Sequence, residues 1–346
     1  MAGGGSTLLR LARVQTLALT GLAPVIGAAV FYGLSGDGAW AHIADLALLF
    51  ATGACLHVFG FVLNEWADVE VDRASGDLGG KPLVSGAVSP RAALAGAVGA
   101  GALGFLPLLL VSTAMWPAAL YAASLTLGGA YDLWGKRAPL DHLLAASLSA
   151  LLLAGVAASG GLDVGSGHHR LVLFGLLGLQ YLQNLFQNAI EGGIKDADHD
   201  AAAGARTFAA ITGTRVEAGR VRPSTAFALT AWATKGLHLG ILAWMAVCVA
   251  ELDLASVEGL GLMALVAICM LAMAATMAEF VGEVDFARAR LKRWFSAHEM
   301  ATYLGTVVVI APFVGGLFAV VLVALPVAWY LGSNIALYGK ALEPGV

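Results

Sequence analysis

Phe61-Val62-Leu63-Asn64-Glu65-Trp66-Ala67-Asp68-Val69-Glu70-Val71-Asp72 closes an apolar run that begins near residue 41. About 20 apolar residues in helical conformation cross the hydrocarbon core of a bilayer. The stretch therefore reads as a membrane helix whose end carries carboxylates. Asn64, Asp68 and Asp72 are spaced i, i+4, i+8, and at about 100° per residue they drift only about 40° per step, so they share a helical face. A second acidic stretch, Asp196-Ala197-Asp198-His199-Asp200, follows an apolar run that ends near Ile190. Asp196 and Asp200 repeat the i, i+4 spacing, and Asn188 extends that face backwards, with Gly192 and Gly193 loosening the helix between.

Composition agrees with a membrane chain. Of 346 residues, 59% are hydrophobic and 12% charged, and mean hydropathy is +0.81. Soluble domains carry roughly twice that share of charge. The fold class that follows is all-α, a polytopic bundle of transmembrane helices. The 44 glycines suit close helix packing in lipid. Apolar runs near 20 residues exclude an outer-membrane barrel, whose strands alternate over about ten. Cys55, Cys248 and Cys269 lie apart inside apolar segments and form neither a disulfide framework nor a zinc site. The apolar run Leu11 to Leu34 is long enough to span and shows no cleavage site for a signal peptide.

Spans fall at roughly 12–34, 41–63, 91–112, 114–134, 139–160, 171–190, 225–250, 256–280 and 301–323. The region Ala324 to Leu342 either prolongs the ninth helix or forms a tenth. With the N-terminus in the cytoplasm, the cytoplasmic segments hold Arg10, Arg13, Arg73, Lys81, Arg91, Lys136, Arg137, Lys195, Arg206, Arg215, Arg220, Arg222, Arg288, Arg290, Lys292 and Arg293. That is 16 of the 19 Lys and Arg residues, leaving Arg170, Lys235 and Lys340 elsewhere. The positive-inside bias fixes this expected orientation and places both acidic stretches on the cytoplasmic side. One transmembrane domain over residues 1–346 is expected, with cytoplasmic loops at about 64–90 and 191–224 carrying the acidic motifs.

Carboxylates gathered at membrane boundaries call for a cationic partner. Oxygen-only donors suit Mg²⁺, which takes one or two carboxylates and completes its shell with water and phosphate. No loop has EF-hand spacing for calcium. Ordinary solvated loop carboxylates are the bland alternative, and the recurrence of the pattern at matching positions weighs against it. Arg13, Lys81, Lys136 and Arg206 recur near the motifs and suit a diphosphate; all four also satisfy the positive-inside rule. Arg215, Arg220, Arg222 and the run from Arg288 to Arg293 read as topological charges alone.

These residues carry a family resemblance. Asn64-x-x-x-Asp68-x-x-x-Asp72-Arg73, Lys81-Pro82-Leu83-x-Ser85-Gly86, Tyr131 before Lys136-Arg137, and Asp196-x-x-x-Asp200 ending in Gly204-x-Arg206-Thr207 together resemble the UbiA superfamily of intramembrane prenyltransferases. The resemblance implies about nine helices around a central cavity open to lipid. It implies Mg²⁺ joining the two aspartate motifs to an isoprenyl diphosphate, with Asn64, Asp68, Asp72, Asp196 and Asp200 as ligands. Two departures are Glu65, where Asp is common, and Lys81, where many members carry Arg.

The expected reaction is ionisation of the allylic C–O bond of an isoprenyl diphosphate and capture of the prenyl group by a lipophilic acceptor, a quinone precursor or a glycerol-phosphate-type lipid. Arg13, Lys81, Lys136 and Arg206 would bind the diphosphate. Phe59, Tyr131 and Phe186 are aromatic faces that could steady a cation, and His57 lies two turns before Asn64. Membrane lipid is a further partner and nucleic acid is not; a prokaryotic cytoplasmic membrane is the simplest location. The alternative is a cation-coupled secondary transporter using the same carboxylates, for which Lys235, in the seventh span, is the one midplane charge. A non-catalytic assembly partner is a third reading.

Overall fold

The computed structural model describes residues 4–74, 79–163, 166–250 and 255–341. Ten long helices follow one another along these residues: α1 (Leu17–Leu34), α2 (Ile43–Ala67), α3 (Pro90–Val111), α4 (Met115–Trp134), α5 (Asp141–Ala158), α6 (Gly167–Leu185), α7 (Thr225–Trp244), α8 (Val257–Ala278), α9 (Arg288–Val314) and α10 (Gly316–Tyr338). All but α4 and α6 lie in the eight segments long and apolar enough to cross a membrane by length and composition. The protein is an integral membrane protein. Serine starts four of these helices: Ser89, Ser166, Ser224 and Ser256 each accept a hydrogen bond from the backbone N–H three residues on. Each satisfies a donor that the first turn leaves without an intrahelical partner.

The end of the chain differs from the expected 301–323 span. Helix α9 begins at Arg288, absorbs the basic residues assigned to a loop, and stops at Val314. Gly315 takes φ 85° and ψ 143°, a non-helical conformation open to glycine that breaks the helix, and Gly316–Tyr338 forms a separate tenth helix.

The chain divides into two compact units. The first comprises Met1–Leu133, Ser147–Asp163 and Val320–Val346. Its centre is α1, of which 78% of the most apolar window is buried, against 22% in α3. Glycines let the neighbours approach. A Cβ on Gly53 of α2 would lie 2.8 Å from the Gly21 Cα of α1, and one on Gly155 of α5 would strike the Pro24 carbonyl. Lipid tails are as apolar as leucine, so close backbone contact and dispersion, more than water exclusion, hold such pairs. Polar ties add direction. The Thr52 hydroxyl donates to the Gly104 carbonyl at 3.2 Å, and Ser124 and Ser147 exchange hydroxyl bonds between α4 and α5. Arg10, in the short helix Gly4–Leu11, donates to the Leu337 carbonyl at 2.6 Å and lies over the Tyr338 ring.

The second unit comprises Trp134–Ala146 and Val164–Ala319. Gly175 and Gly178 of α6 bring it against Met245 and Ile241. After α6 the backbone widens into a π-helix over Phe186–Gly192, then resumes as short helices Gly193–Lys195 and Ala197–Ala202. A small antiparallel sheet, outside the all-α expectation, joins two loops: β1 (Arg215–Glu217), β2 (Arg220–Arg222) and β3 (Val284–Asp285). Ala218 and Gly219 between β1 and β2 both have positive φ, as a two-residue hairpin turn requires. Val221 anchors the sheet by burying itself among Phe280, Val281, Leu291 and Phe295.

Candidate active site

The first acidic motif sits in the first unit, where α2 passes almost without interruption into the helix Val69–Ala74. The Asp68 N–H donates to the Asn64 carbonyl at 3.0 Å and the Asp72 N–H to the Asp68 carbonyl at 2.9 Å. These i→i+4 bonds keep the three side chains on one face. Glu65 is the hub. It is 5% exposed, pairs with Arg13 at 2.5 Å and with Lys81 at 3.2 Å, and Lys81 reaches Asp72 at 2.7 Å. What reads in the sequence as a substitution of Asp by Glu thus holds two of the expected diphosphate-binding cations.

Both cations are delivered by specific backbone devices. Arg13 adopts φ 45°, an uncommon conformation for a side-chain-bearing residue. His57 bonds its carbonyl at 3.2 Å, and the other ring nitrogen of His57 meets the Thr20 hydroxyl at 3.0 Å. The histidine is therefore committed to holding Arg13. The Lys81 loop is pinned by Leu83, which is buried beside Val62, Leu63 and Val69, and by Gly86 at φ 75°. A further carboxylate, Asp132 of α4, hydrogen-bonds the Asn64 side chain and lies near Asp68. Its sequence signal was an acidic residue inside an apolar helix, next to Tyr131. Tyr131 itself is half-buried on α4.

The second motif sits in the second unit. Asp200 is 4% exposed; it accepts from Lys136 at 2.6 Å and from the Thr207 hydroxyl at 2.9 Å. Gly204 at φ 63° folds the chain back, so that the Ala205 N–H reaches the Asp200 carbonyl and the Arg206 N–H reaches the Lys136 carbonyl at 2.9 Å. The Arg206 side chain is exposed. Asp196 pairs loosely with Lys195 at 3.5 Å. Asp198 pairs with Arg288, one of the cations read above as topological. Asp141, at the start of α5, lies near both Lys136 and Asp200.

Below this motif the second unit holds a buried polar core. Lys235 is 1% exposed, donates to Gln183 at 3.1 Å and lies 4.3 Å from the Phe186 ring centroid. It is paired inside the bundle and does not snorkel to an interface. Phe186 lies beside the Lys235 ammonium and stacks on His298 at 5.0 Å. Phe59 fills space against Gly101 and Gly129.

The donors fit a hard cation. Each motif offers only oxygen ligands, with ammonium groups already balancing Asp72 and Asp200. Among the described residues no three His, Cys, Asp or Glu side chains gather into a self-sufficient metal cage. Mg²⁺ uses few protein carboxylates and completes its shell with phosphate and water.

Comparison with known proteins supplies the family. No curated protein sequence matches the chain. Among solved structures, an apo UbiA homologue from Aeropyrum pernix K1 superposes with TM-score 0.62 at 19% identity, over 85% of this chain and 97% of that one. A UbiA homologue from Archaeoglobus fulgidus bound to DMAPP and Mg²⁺ gives 0.61 at 16% identity, over 88% and 99%. A digeranylgeranylglyceryl phosphate synthase gives 0.61 at 14%, over 90% and 99%. These likenesses establish the helical fold. The model of the UbiA prenyltransferase family matches residues 21–278, three quarters of the chain and both acidic motifs with it, so the protein belongs to that family.

Proposed function

We infer that the protein is a Mg²⁺-dependent intramembrane prenyltransferase, moving an isoprenyl group from its diphosphate onto a lipophilic acceptor, a quinone precursor or a glycerol-phosphate-type lipid. The observation that carries this reading is the twofold pairing of a buried aspartate with a loop lysine, Asp72 with Lys81 and Asp200 with Lys136, within a prenyltransferase family fold. Asn64, Asp68, Asp72, Asp196 and Asp200 would hold the metal. When bound, Mg²⁺ supplies Lewis-acid neutralisation of the diphosphate leaving group.

The chain's own residues do the remaining work. Lys81 and Lys136 turn from their aspartates toward phosphate oxygens and stabilise the charge that collects there as the allylic C–O bond breaks. Glu65 holds Arg13 and Lys81 in place before substrate arrives, so little reorganisation is needed. Arg206, whose side chain is exposed, is available to an outer phosphate oxygen. Tyr131 borders the first motif through its neighbour Asp132. The basic loops and both motifs face the cytoplasm in this reading, in a prokaryotic cytoplasmic membrane.

Incubation with a panel of labelled isoprenyl diphosphates and membrane lipid extract, with and without Mg²⁺, tests the assignment. A prenylated lipid and released diphosphate, both lost on chelation, are the expected products. Cation-driven uptake into proteoliposomes without diphosphate release would instead establish the transporter reading, for which Lys235 speaks.

A further inference from the structure

Arg288 lies outside the aspartate spacing and outside the loops that follow the motifs, yet it makes the closest ion pair of the second motif. One guanidinium nitrogen bridges both Asp198 carboxylate oxygens at 2.5 and 2.6 Å, and lies 3.1 Å from His199 Nε2. The helix that carries Asp198 and Asp200 spans only Ala197–Ala202. A helix that short is unstable alone, because nucleation fixes several residues for one hydrogen bond. Its orientation must come from outside.

The geometry shows where it comes from. Within this helix Asp198 and Asp200 project to opposite sides, about 160° apart, and Asp196, the N-cap, is tied to Asp200 by the Asp200 N–H bond to its carbonyl at 2.8 Å. Holding Asp198 to one side therefore turns Asp196 and Asp200 to the other. Arg288 can do this because it is itself fixed. It is the first residue of α9, its guanidinium lies over the Phe286 ring at 5.0 Å, and the Phe286 N–H bonds the Gly219 carbonyl at 2.8 Å. Strand β1 of the same sheet packs against the Ala197–Ala202 helix.

We propose that Arg288 is a positioning residue of the second aspartate motif: it holds and neutralises Asp198, aims Asp196 and Asp200 at the metal-bound diphosphate, and keeps a third negative charge away from it. The assignment rests on the prenyltransferase reading and adds a residue far from both motifs in sequence.

The test uses the full-length protein in lipid nanodiscs, as wild type, Arg288→Ala, Arg288→Lys, Asp198→Ala and the Arg288→Ala/Asp198→Ala double variant. Prenyl transfer is measured against Mg²⁺ concentration. Binding of Mn²⁺ in the presence of inorganic pyrophosphate is measured separately by the loss of its free-ion EPR signal. Arg288→Ala should raise the Mg²⁺ half-saturation about 10-fold or more, a typical effect of losing a residue behind a metal ligand, with a maximal rate within about 3-fold of wild type. Mn²⁺ binding should weaken in parallel, Arg288→Lys should recover part of both, and the double variant should match the single ones. Unchanged half-saturation and Mn²⁺ binding in Arg288→Ala overturn the proposal, as does an equal loss of rate at every Mg²⁺ concentration. Should Arg288→Ala fail to fold, Asp198→Ala probes the same pair from the other side under the same criteria. A wild type that binds Mn²⁺ with pyrophosphate but transfers no prenyl group would sink the prenyltransferase reading and leave the positioning role to be judged on binding.

Discussion

The two aspartate motifs share a spacing but are held by different means. The first continues a 25-residue helix and inherits its direction from that helix. What it needs is charge balance, and Glu65 provides it by gathering Arg13 and Lys81 around Asp72. The second rides on a six-residue helix beyond a π-helix and has no long element to follow. Its direction comes from side chains on other elements, Lys136 on the turn before α5 and Arg288 at the start of α9. A carboxylate pair on a rigid helix asks for counterions; the same pair on a short segment asks for clamps.

Six substitutions sharpen or break this contrast. The largest effect is expected from Asp68→Ala and Asp200→Ala, each lowering Mg²⁺-dependent prenyl transfer by about 10³-fold or more, the equivalent of several kcal/mol of leaving-group stabilisation. Activity retained by either variant would remove that motif from the metal site. Next, Lys81→Ala and Lys136→Ala should each reduce the rate by roughly 10²-fold, as removal of a charge-stabilising donor does. Steady-state kinetics should show the loss mainly in kcat; a pure KM effect would make these lysines substrate-binding groups only.

Glu65→Gln should lower activity about 10- to 100-fold and reduce stability, because it leaves Arg13 and Lys81 short of their shared partner. Urea or thermal melts alongside rate measurements check both. An unaffected Glu65→Gln would show that the first motif needs no hub, and would erase the distinction drawn here. The smallest effect is expected from Lys235→Met, a replacement of similar length in the buried core of the second unit. Prenyl transfer should stay within about 3-fold of wild type, since the Lys235 ammonium is taken up by Gln183 and the Phe186 ring, while stability should fall because buried Glu191 and Glu299 lose their neighbouring cation. A loss of 10²-fold would bring that core into the reaction.

Local features were legible in the residues and distant ones were not. Apolar runs and i, i+4 spacings are properties of a few turns, so the spans and both motifs could be read directly. Glu65 could be seen only as a departure from a pattern, because its value lies in meeting Arg13 from 52 positions away. Asp132 and Arg288 likewise depend on tertiary neighbours. Helix α9 was displaced because its charged first turns lower the hydropathy of a segment that is nonetheless helical, and because no hydropathy sum registers the backbone turn at Gly315. The hairpin escaped notice for a similar reason: Ala218-Gly219 lacks the Asn-Gly or Asp-Gly signature that announces such turns.

The bond from Arg10 to the Leu337 carbonyl carries a parity rule. Two points that touch at a bilayer surface must be separated by an even number of crossings, which the eight candidate spans among the described residues satisfy, as do the ten long helices. By that rule Lys340, just beyond the tenth helix, falls on the same side as Arg10. Reporter fusions placed before Arg10 and after Tyr338 should accordingly be accessible from the same compartment.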